Sequence, residues 1–430
     1  MKISRFRRFA ASSLLISAAL ARTAPAAAQV VSERGFVDGS AWLFPQAAPN
    51  DSTRLVGDLL VRDEIFVKPG HWIQFAVGVD LRANSHDQVD ARWRVDFTDR
   101  DPLRPAIAVR RLSASLNHGP LTVDVGKQFI RWGKTDIVTP TDRFAPRDFL
   151  NVVDTEFLPV TGLRAVVQLG SSSVDAIWVP FFTPSRTPLV DERWTAVPPA
   201  AADLRIVDNG SEIPRGSQVG LRVAHTGSAI EYAFSVFDGF NNLPNLDAAA
   251  VFSPQPGSPT CSACSQPAVA IRRVFPSLRT YGADAAVPTR WLTIKGETAL
   301  FGSPSGASDE YVLYVVQVER QTGEWLVVGG YAGEIVTLRR AVLTFAPDRG
   351  MTRSLVGRAS YTIDTNRSLA FETAVRQTGD GLYARAEYSQ ARGEHWRTTI
   401  AAAAIAGHSD DFLGQYHRNS YVTASVRYSF

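Results

Sequence analysis

The chain ends in Tyr-Val-Thr-Ala-Ser-Val-Arg-Tyr-Ser-Phe, residues 421–430, and this stretch decides the fold. Apolar or aromatic side chains occupy every second position, and polar ones occupy most positions between them. Alternation with a period of two predicts a β-strand with one apolar and one polar face. A soluble domain that ended on such a bare edge would invite aggregation, whereas a closed barrel pairs its last strand with its first. The ending therefore predicts a closed barrel, and a terminal strand of a soluble β protein is the alternative.

The same alternation recurs along the chain, for example in residues 55–68, 72–82, 121–131 and 369–376. These segments are about ten residues long, which is the length that a tilted strand needs to cross a bilayer. Their polar faces carry charges of both signs, and such an interior suits a water-filled barrel. Residues 90–97 alternate as D-A-R-W-R-V-D-F and are predicted to form a further strand.

The first 28 residues have the features of a secretory signal. Basic residues precede an apolar stretch at 9–20, and Ala26-Ala27-Ala28 provides small residues for cleavage. The predicted domains are therefore a signal peptide at 1–28 and a barrel at 29–430. The whole chain has a net charge of +3, but the signal holds five cations and no acid, which leaves −2 for the remainder. The composition thus predicts no nucleic-acid partner.

Short glycine-containing turns alternate with longer connections, the longest of which lie at 133–160, 180–216, 241–275 and 406–420. Together with the alternating segments, they predict an all-β, antiparallel transmembrane β-barrel of about 16–20 strands, with 18 favoured. The uncertainty in the count lies at residues 329–345, which fit either the end of one strand plus another strand or a strand plus a short helix. In such barrels, long loops face outward and short turns face the periplasm.

The strongest local constellation is G-K-Q-F-I-R-W-G-K-T-D at 126–136, which continues as T-P-T-D-R-F-A-P-R-D-F at 139–149. One interpretation is that this loop folds into the lumen and that its charges line a constriction that filters solutes by charge. The other is a structural loop whose ion pairs tie it to the wall. The candidate pore-lining residues in this loop are Arg131, Lys134, Asp136, Asp142, Arg143, Arg147 and Asp148. Further candidates on alternating segments are Asp80, Arg82, Arg92 and Arg94.

The motif G-K-Q-x-x-x-W-G-x-x-D, followed by P-T-D, P-R-D-F and W-x-P-F-F-x-P-S-R, resembles a poorly characterised family of bacterial outer-membrane porin-like barrels. That family is loosely like the alginate-export and anion-porin barrels. The motifs cover about residues 120–190, and the chain end at Phe430 is similar to the C-terminal signature of outer-membrane barrels. The resemblance implies a bacterial outer-membrane location, contact with its lipid, and handling by the barrel-assembly machinery through the terminal strand. It carries over no ligand site.

Cys261 and Cys264 lie in a loop rich in proline and serine. Because the export signal implies an oxidising compartment, a local disulfide is predicted, and a free pair or a metal site is the alternative. A four-ligand zinc site would need two more ligands, and the sequence has no second C-x-x-C or C-x-x-H. No cofactor and no metal are predicted.

These features predict a non-enzymatic channel for the passive diffusion of small hydrophilic solutes. One alternative is a structural or assembly barrel with a plugged lumen. The other is an outer-membrane hydrolase, for which the sequence offers only Ser389 and His395 on a shared inward face and neither G-x-S-x-G nor H-E-x-x-H. The oligomeric state is open, and a homo-oligomer is one alternative because large porins often form trimers.

Overall fold

The structure, a computed structural model, describes residues 30–196, 204–254 and 265–430. The signal segment at 1–28 and the pair Cys261 and Cys264 lie outside these residues, so the cleavage and disulfide predictions remain predictions.

Eighteen antiparallel strands close into one barrel, which confirms the predicted fold class and the favoured strand number. Each wall strand pairs with the next wall strand along the chain, because every connection is a hairpin or a longer loop between neighbours. The wall strands are Val30–Leu43 (β1), Leu55–Gly70 (β2), Ile73–Asn84 (β3), Ile107–His118 (β5), Leu121–Gln128 (β6), Val160–Leu169 (β9), Ser172–Val179 (β10), Gln218–Thr226 (β12), Glu231–Phe240 (β13), Ser277–Pro288 (β16), Thr293–Gly302 (β17), Glu310–Thr322 (β18), Trp325–Leu338 (β19), Ser354–Asp364 (β20), Arg367–Arg376 (β21), Leu382–Arg392 (β22), Trp396–Ala406 (β23) and Tyr421–Ser429 (β24).

The remaining elements are short or lie outside the wall. They are the strands Val95–Asp96 (β4), Arg147–Asp148 (β7), Glu156–Phe157 (β8), Arg205–Glu212 (β11), Asn245–Pro254 (β14) and Ser265–Val274 (β15), the helix Pro347–Gly350 (α1) and the 3-10 helix Gly414–Asn419. β11, β15 and β14 form a separate three-stranded sheet.

The barrel closes where β1 meets β24 in antiparallel register. The backbone N–H of Gly35 donates to the Phe430 carbonyl at 3.1 Å, and the Phe430 N–H donates to the Gly35 carbonyl at 3.0 Å. The Phe430 ring lies on Gly35, where a side chain would overlap it. The terminal strand thus removes both free edges, as its alternation predicts.

The two ends of the barrel differ in their connections. The turns after β2, β5, β9, β12, β16, β18, β20 and β22 are short, and both described chain ends lie on that side. The nine loops at the other end are L1 (44–54), L2 (85–106), L3 (129–159), L4 (180–217), L5 (241–276), L6 (303–309), L7 (339–353), L8 (377–381) and L9 (407–420).

The outer face of the wall is apolar and exposed. Leu59, Val77, Leu369 and Val426 are typical of it, with exposed fractions of 41–46%. Trp325 lies exposed beside a short turn, as a residue of an interfacial aromatic girdle would. Within the described residues, no helix is long and apolar enough to cross a membrane.

The structure of two segments differs from what the sequence predicts. Residues 329–345 contain the end of the single strand β19 and then loop, with α1 following at Pro347, so neither predicted alternative describes them fully. The strand predicted at 90–97 is wrong, because only β4 is extended there. The Asp90 carboxylate accepts a hydrogen bond from the Arg92 N–H at 3.0 Å, and such a local turn competes with strand pairing.

Candidate solute channel

L3 leaves the wall after β6 and folds into the lumen, where Glu297 of β17 anchors it. The Glu297 carboxylate accepts hydrogen bonds from the backbone N–H groups of Lys134, Thr135 and Thr141 at 2.9–3.0 Å. The hydroxyls of both threonines also donate to it, each at 2.9 Å. Five donors on one buried carboxylate satisfy its lone pairs, which burial in a lumen requires. L3 is therefore held against the inner wall by a residue more than 150 positions away.

The apolar side chains of L3 pack on the same stretch of wall. Trp132 and Phe144 lie edge to face at 5.2 Å, and both contact Gly220 of β12, where a methyl group would overlap them. The Trp132 indole N–H donates to Asp175 at 2.9 Å. Trp132 is thus a lumen residue that is 3% exposed. The missing side chain at Gly220 is what allows this close approach.

On the opposite wall, three inward arginines of β2, β3 and β5 surround acids from the wall and from L3. Arg62 makes two hydrogen bonds to Asp80 at 2.7 and 2.8 Å. Arg82 reaches Glu156 of L3 at 2.5 Å, and Arg110 lies 3.9 Å from the same carboxylate. Burial disfavours the charged form of Glu156, but attraction to these arginines outweighs it and lowers the pKa of Glu156 to about 2. Of the predicted candidates, Asp80 and Arg82 therefore belong to one cluster of charge-assisted contacts.

A second buried cluster joins L2, L3, L4 and β6. Asp148 accepts from Arg104 at 2.9 and 3.0 Å and from Arg186 at 3.2 Å. Arg186 also bonds Asp99 at 2.9 Å, and Asp99 pairs with Lys127 at 2.6 Å. Burial disfavours ionisation, but the two arginines hold the pKa of Asp148 well below its usual range. The predicted candidate Asp148, in L3, thus joins L3 to L2 and L4 through ion pairs.

The other predicted loop residues take separate partners. Arg131 lies 3.1 Å from Asp142, and burial raises the pKa of that aspartate despite the arginine. Lys134 pairs with Glu231 of β13, and Asp136 accepts from Gln317 of β18 at 2.6 Å.

Arg143 and Arg147 complete the loop set. Arg143 lies 3.9 Å from Asp348 of L7 and 4.9 Å from the ring centre of Phe301. Arg147 stacks on Phe157 at 4.6 Å, and among the described residues it makes no ion pair within 4 Å. Their predicted role at the pore remains a prediction.

Arg92 and Arg94 do not join these residues. They lie on the exposed part of L2, with 70% and 51% of their side chains accessible, and pair with Asp90 and Asp101. The wrong strand prediction for residues 90–97 had placed them on the wall.

Cavities lie on two sides of the lumen. A cavity of about 560 Å³ lies between L4, L5, L7 and L9, and one of about 230 Å³ lies between L3 and the wall strands β21–β23. The two share the lining residues Pro347, Phe412 and Tyr416. On the arginine side, the cavities measure only about 130 and 30 Å³.

Several residues of the site were missed by the sequence interpretation. Glu156, Glu297 and Gln317 all take part in holding L3, and Arg104 and Arg186 hold Asp148. The alternation of β17 and β18 could have placed Glu297 and Gln317 on the inward face, but nothing local indicates their loop partners. The Ser389–His395 pairing is not formed, because His395 contacts the Ser429 carbonyl at 2.7 Å and Ser389 contacts Thr399.

Comparison with known proteins identifies the fold. The chain is similar to OccAB4 of Acinetobacter baumannii, with a TM-score of 0.55, 9% identity, and coverage of 94% of this chain and 99% of that one. It is similar to OpdQ of Pseudomonas aeruginosa, with a TM-score of 0.53, 8% identity and coverage of 94% and 98%. A BenF-like porin from Pseudomonas fluorescens Pf-5 gives 0.52, 10% identity and coverage of 94% and 98%.

At 8–10% identity these similarities define a fold, and that fold is the 18-stranded barrel of bacterial outer-membrane porins. No family model matches the sequence, and no curated protein matches it.

Proposed function

We propose that the protein is a channel of the bacterial outer membrane that passes small hydrophilic solutes by passive diffusion, without catalysis. The observation that carries this proposal is a closed barrel with an apolar, exposed outer face and a charged interior that still contains open cavities. Closure satisfies every wall strand in lipid, and the polar interior gives water a path. The porin fold of the structural neighbours supports the same function.

The test is electrical. Purified mature protein, inserted into a planar lipid bilayer, should give stepwise ion conductance, because a continuous water path carries ions. A matched preparation in which residues 140–148 are deleted should give a larger conductance if L3 narrows the path. Absence of steps from heat-modifiable, folded barrels would contradict a channel.

A second candidate is a non-channel barrel whose lumen is plugged. The two charge clusters favour it, because one fixes L3 against L2 and L4 and the other fixes L3 against the wall with charge-assisted hydrogen bonds. In that case the folded protein would insert into bilayers without conductance, and the deletion variant alone would conduct.

A further inference from the structure

The cavities on the charged side of the lumen and those on its open side have different linings, although Trp194 lines both the 130 and the 560 Å³ cavity. The cavities beside Arg82 and Arg104 are about 130 and 30 Å³, so the ion pairs there leave little room for a solute. The cavities on the other side are several times larger, at about 560 and 230 Å³. A solute that crosses the barrel therefore has more room beside the wall strands β21–β23 than beside the arginines.

The larger cavities are lined mainly by apolar side chains. The 560 Å³ cavity, called the outer cavity below, is lined by Ile206, Leu246, Val269, Leu343 and Phe345. The 230 Å³ cavity, called the inner cavity below, is lined by the side chains of Val152, Val153, Met351, Tyr383 and Ile405. Sites that take organic molecules combine such a lining with a small number of polar groups. Ordinary small sugars and salts gain nothing from these surfaces, because burial in an apolar lining favours apolar area alone.

The aromatic residues Phe412 and Tyr416 of L9 lie where the two cavities meet. Their rings are arranged edge to face at 6.3 Å. The Phe412 ring lies on Gly350 at the end of α1, where a methyl group would overlap it. The position of this ring at the junction therefore depends on a glycine in another loop.

The inner cavity keeps a few charged groups of both signs. Arg147 faces it without an ion pair among the described residues, and Asp348 and Glu372 supply the acids. Both acids have ion-pair partners, since Asp348 is 3.9 Å from Arg143 and Glu372 is 3.5 Å from Arg358 and 3.9 Å from Arg385. Groups of both signs beside an apolar surface suit a zwitterionic or uncharged solute that has an apolar body.

We propose that the apolar side of the lumen is a solute path, and that it selects small water-soluble molecules with an apolar body over equally small, fully polar ones. This inference rests on the proposed channel function. The path runs from the outer cavity past Phe412 and Tyr416 into the inner cavity.

The experiment is liposome swelling with the mature protein, using leucine and asparagine as probes. Both are zwitterions of similar size that cross lipid slowly, so the comparison isolates the apolar body. Leucine should enter faster by roughly fourfold, which corresponds to the burial of about one methylene group in the lining. Equal rates, or faster entry of asparagine, would overturn the proposed path.

Single substitutions test which side of the lumen causes the preference for leucine. Phe412→Ser at the junction and Val153→Ser in the inner cavity should each bring the ratio of the two rates toward unity. Leu60→Ser is the matched control, because Leu60 lines the 130 Å³ cavity on the charged side, and it should keep the parent ratio. Heat-modifiability on gels confirms that each barrel is folded, and two independent variants guard against one failing to fold.

Measurement of ion conductance distinguishes a failure of the channel proposal from a failure of the apolar-path proposal. If the parent protein neither conducts nor swells liposomes, the channel itself is wrong. If it conducts but shows no leucine preference, or if Leu60→Ser lowers the ratio as much as both path variants do, only the apolar path is wrong.

Discussion

At the scale of single residues, Asp148 decides how firmly the loops are joined in the lumen. It is buried between Arg104 and Arg186, which belong to L2 and L4. Asp148→Asn would leave the buried guanidinium of Arg104 without its acidic partner, whereas Arg186 would keep Asp99. Breaking a buried pair costs about 3–5 kcal/mol. We expect the free energy of unfolding in urea to fall by that amount.

Asp101→Asn is the matched control for this prediction. Asp101 pairs with Arg94 on the exposed part of L2, where half of each side chain is accessible. Loss of an exposed pair costs about 0–1 kcal/mol. Equal effects of the two variants would show that the Asp148 cluster does not stabilise the folded state.

Glu192 in L4 provides a residue-scale test by pH. Its carboxylate accepts from Gln88 of L2 at 2.6 Å, and burial, with repulsion from Asp191 and Asp51, raises its pKa to about 8. The folded state therefore keeps a proton that the unfolded chain has lost, and the stability that it confers falls as pH rises through this value. Between pH 7 and pH 9, the free energy of unfolding should drop by about 1 kcal/mol.

Glu192→Gln removes the titrating group while keeping an acceptor for Gln88. Its stability should change less with pH over the same interval, and histidines ordinarily titrate below it. A slope as steep as that of the parent would assign the pH dependence to other groups.

At the scale of elements, the attachment of L3 to β17 depends on one side chain. Glu297→Gln replaces an acceptor oxygen with an NH₂ group that faces the donors of L3, and each donor left unpaired costs about 1–3 kcal/mol. L3 should then leave the wall part of the time. We expect larger fluctuations of single-channel current than in the parent.

Glu319→Gln serves as the control on the neighbouring strand β18. Glu319 points into the same lumen and pairs with Lys295 at 2.7 Å. Lys295 also lies 3.4 Å from Asp136 of L3, but within the described part of the chain Glu319 itself accepts no hydrogen bond from L3. Quiet, parent-like current from Glu297→Gln would show that other contacts suffice to hold the loop.

At the scale of the whole molecule, closure depends on the last residue. Deletion of Phe430 removes two backbone hydrogen bonds to Gly35 and the ring that covers it. Fewer chains should reach the closed barrel, which is measured as the fraction of heat-modifiable protein in outer-membrane preparations. Phe430→Tyr keeps the ring and the backbone and should behave like the parent. Undiminished folding of the deletion variant would contradict this role of the chain end.

The faces of the wall strands could be predicted from the sequence, but the turn at residues 90–97 could not. The alternation in residues 55–68 and 421–430 predicts which side chains face outward, because successive side chains of a strand point to opposite faces. The same rule misled at residues 90–97, where Asp90 binds its own backbone nearby and the chain turns. Of the loop charges, Arg131 and Asp142 pair with each other within L3, whereas Lys134 pairs with Glu231 of the wall strand β13.

The sequence by itself determined the barrel, a strand number of about 16–20 with 18 favoured, and the closure through Phe430, since each follows from a period of two and from connections that are local. Only the tertiary structure decided that Glu297 holds L3, that Arg82 meets Glu156, and that the open space lies beside the apolar wall. These contacts join residues far apart in the chain, and a side chain's own neighbours in sequence carry no record of which strand or loop it will face.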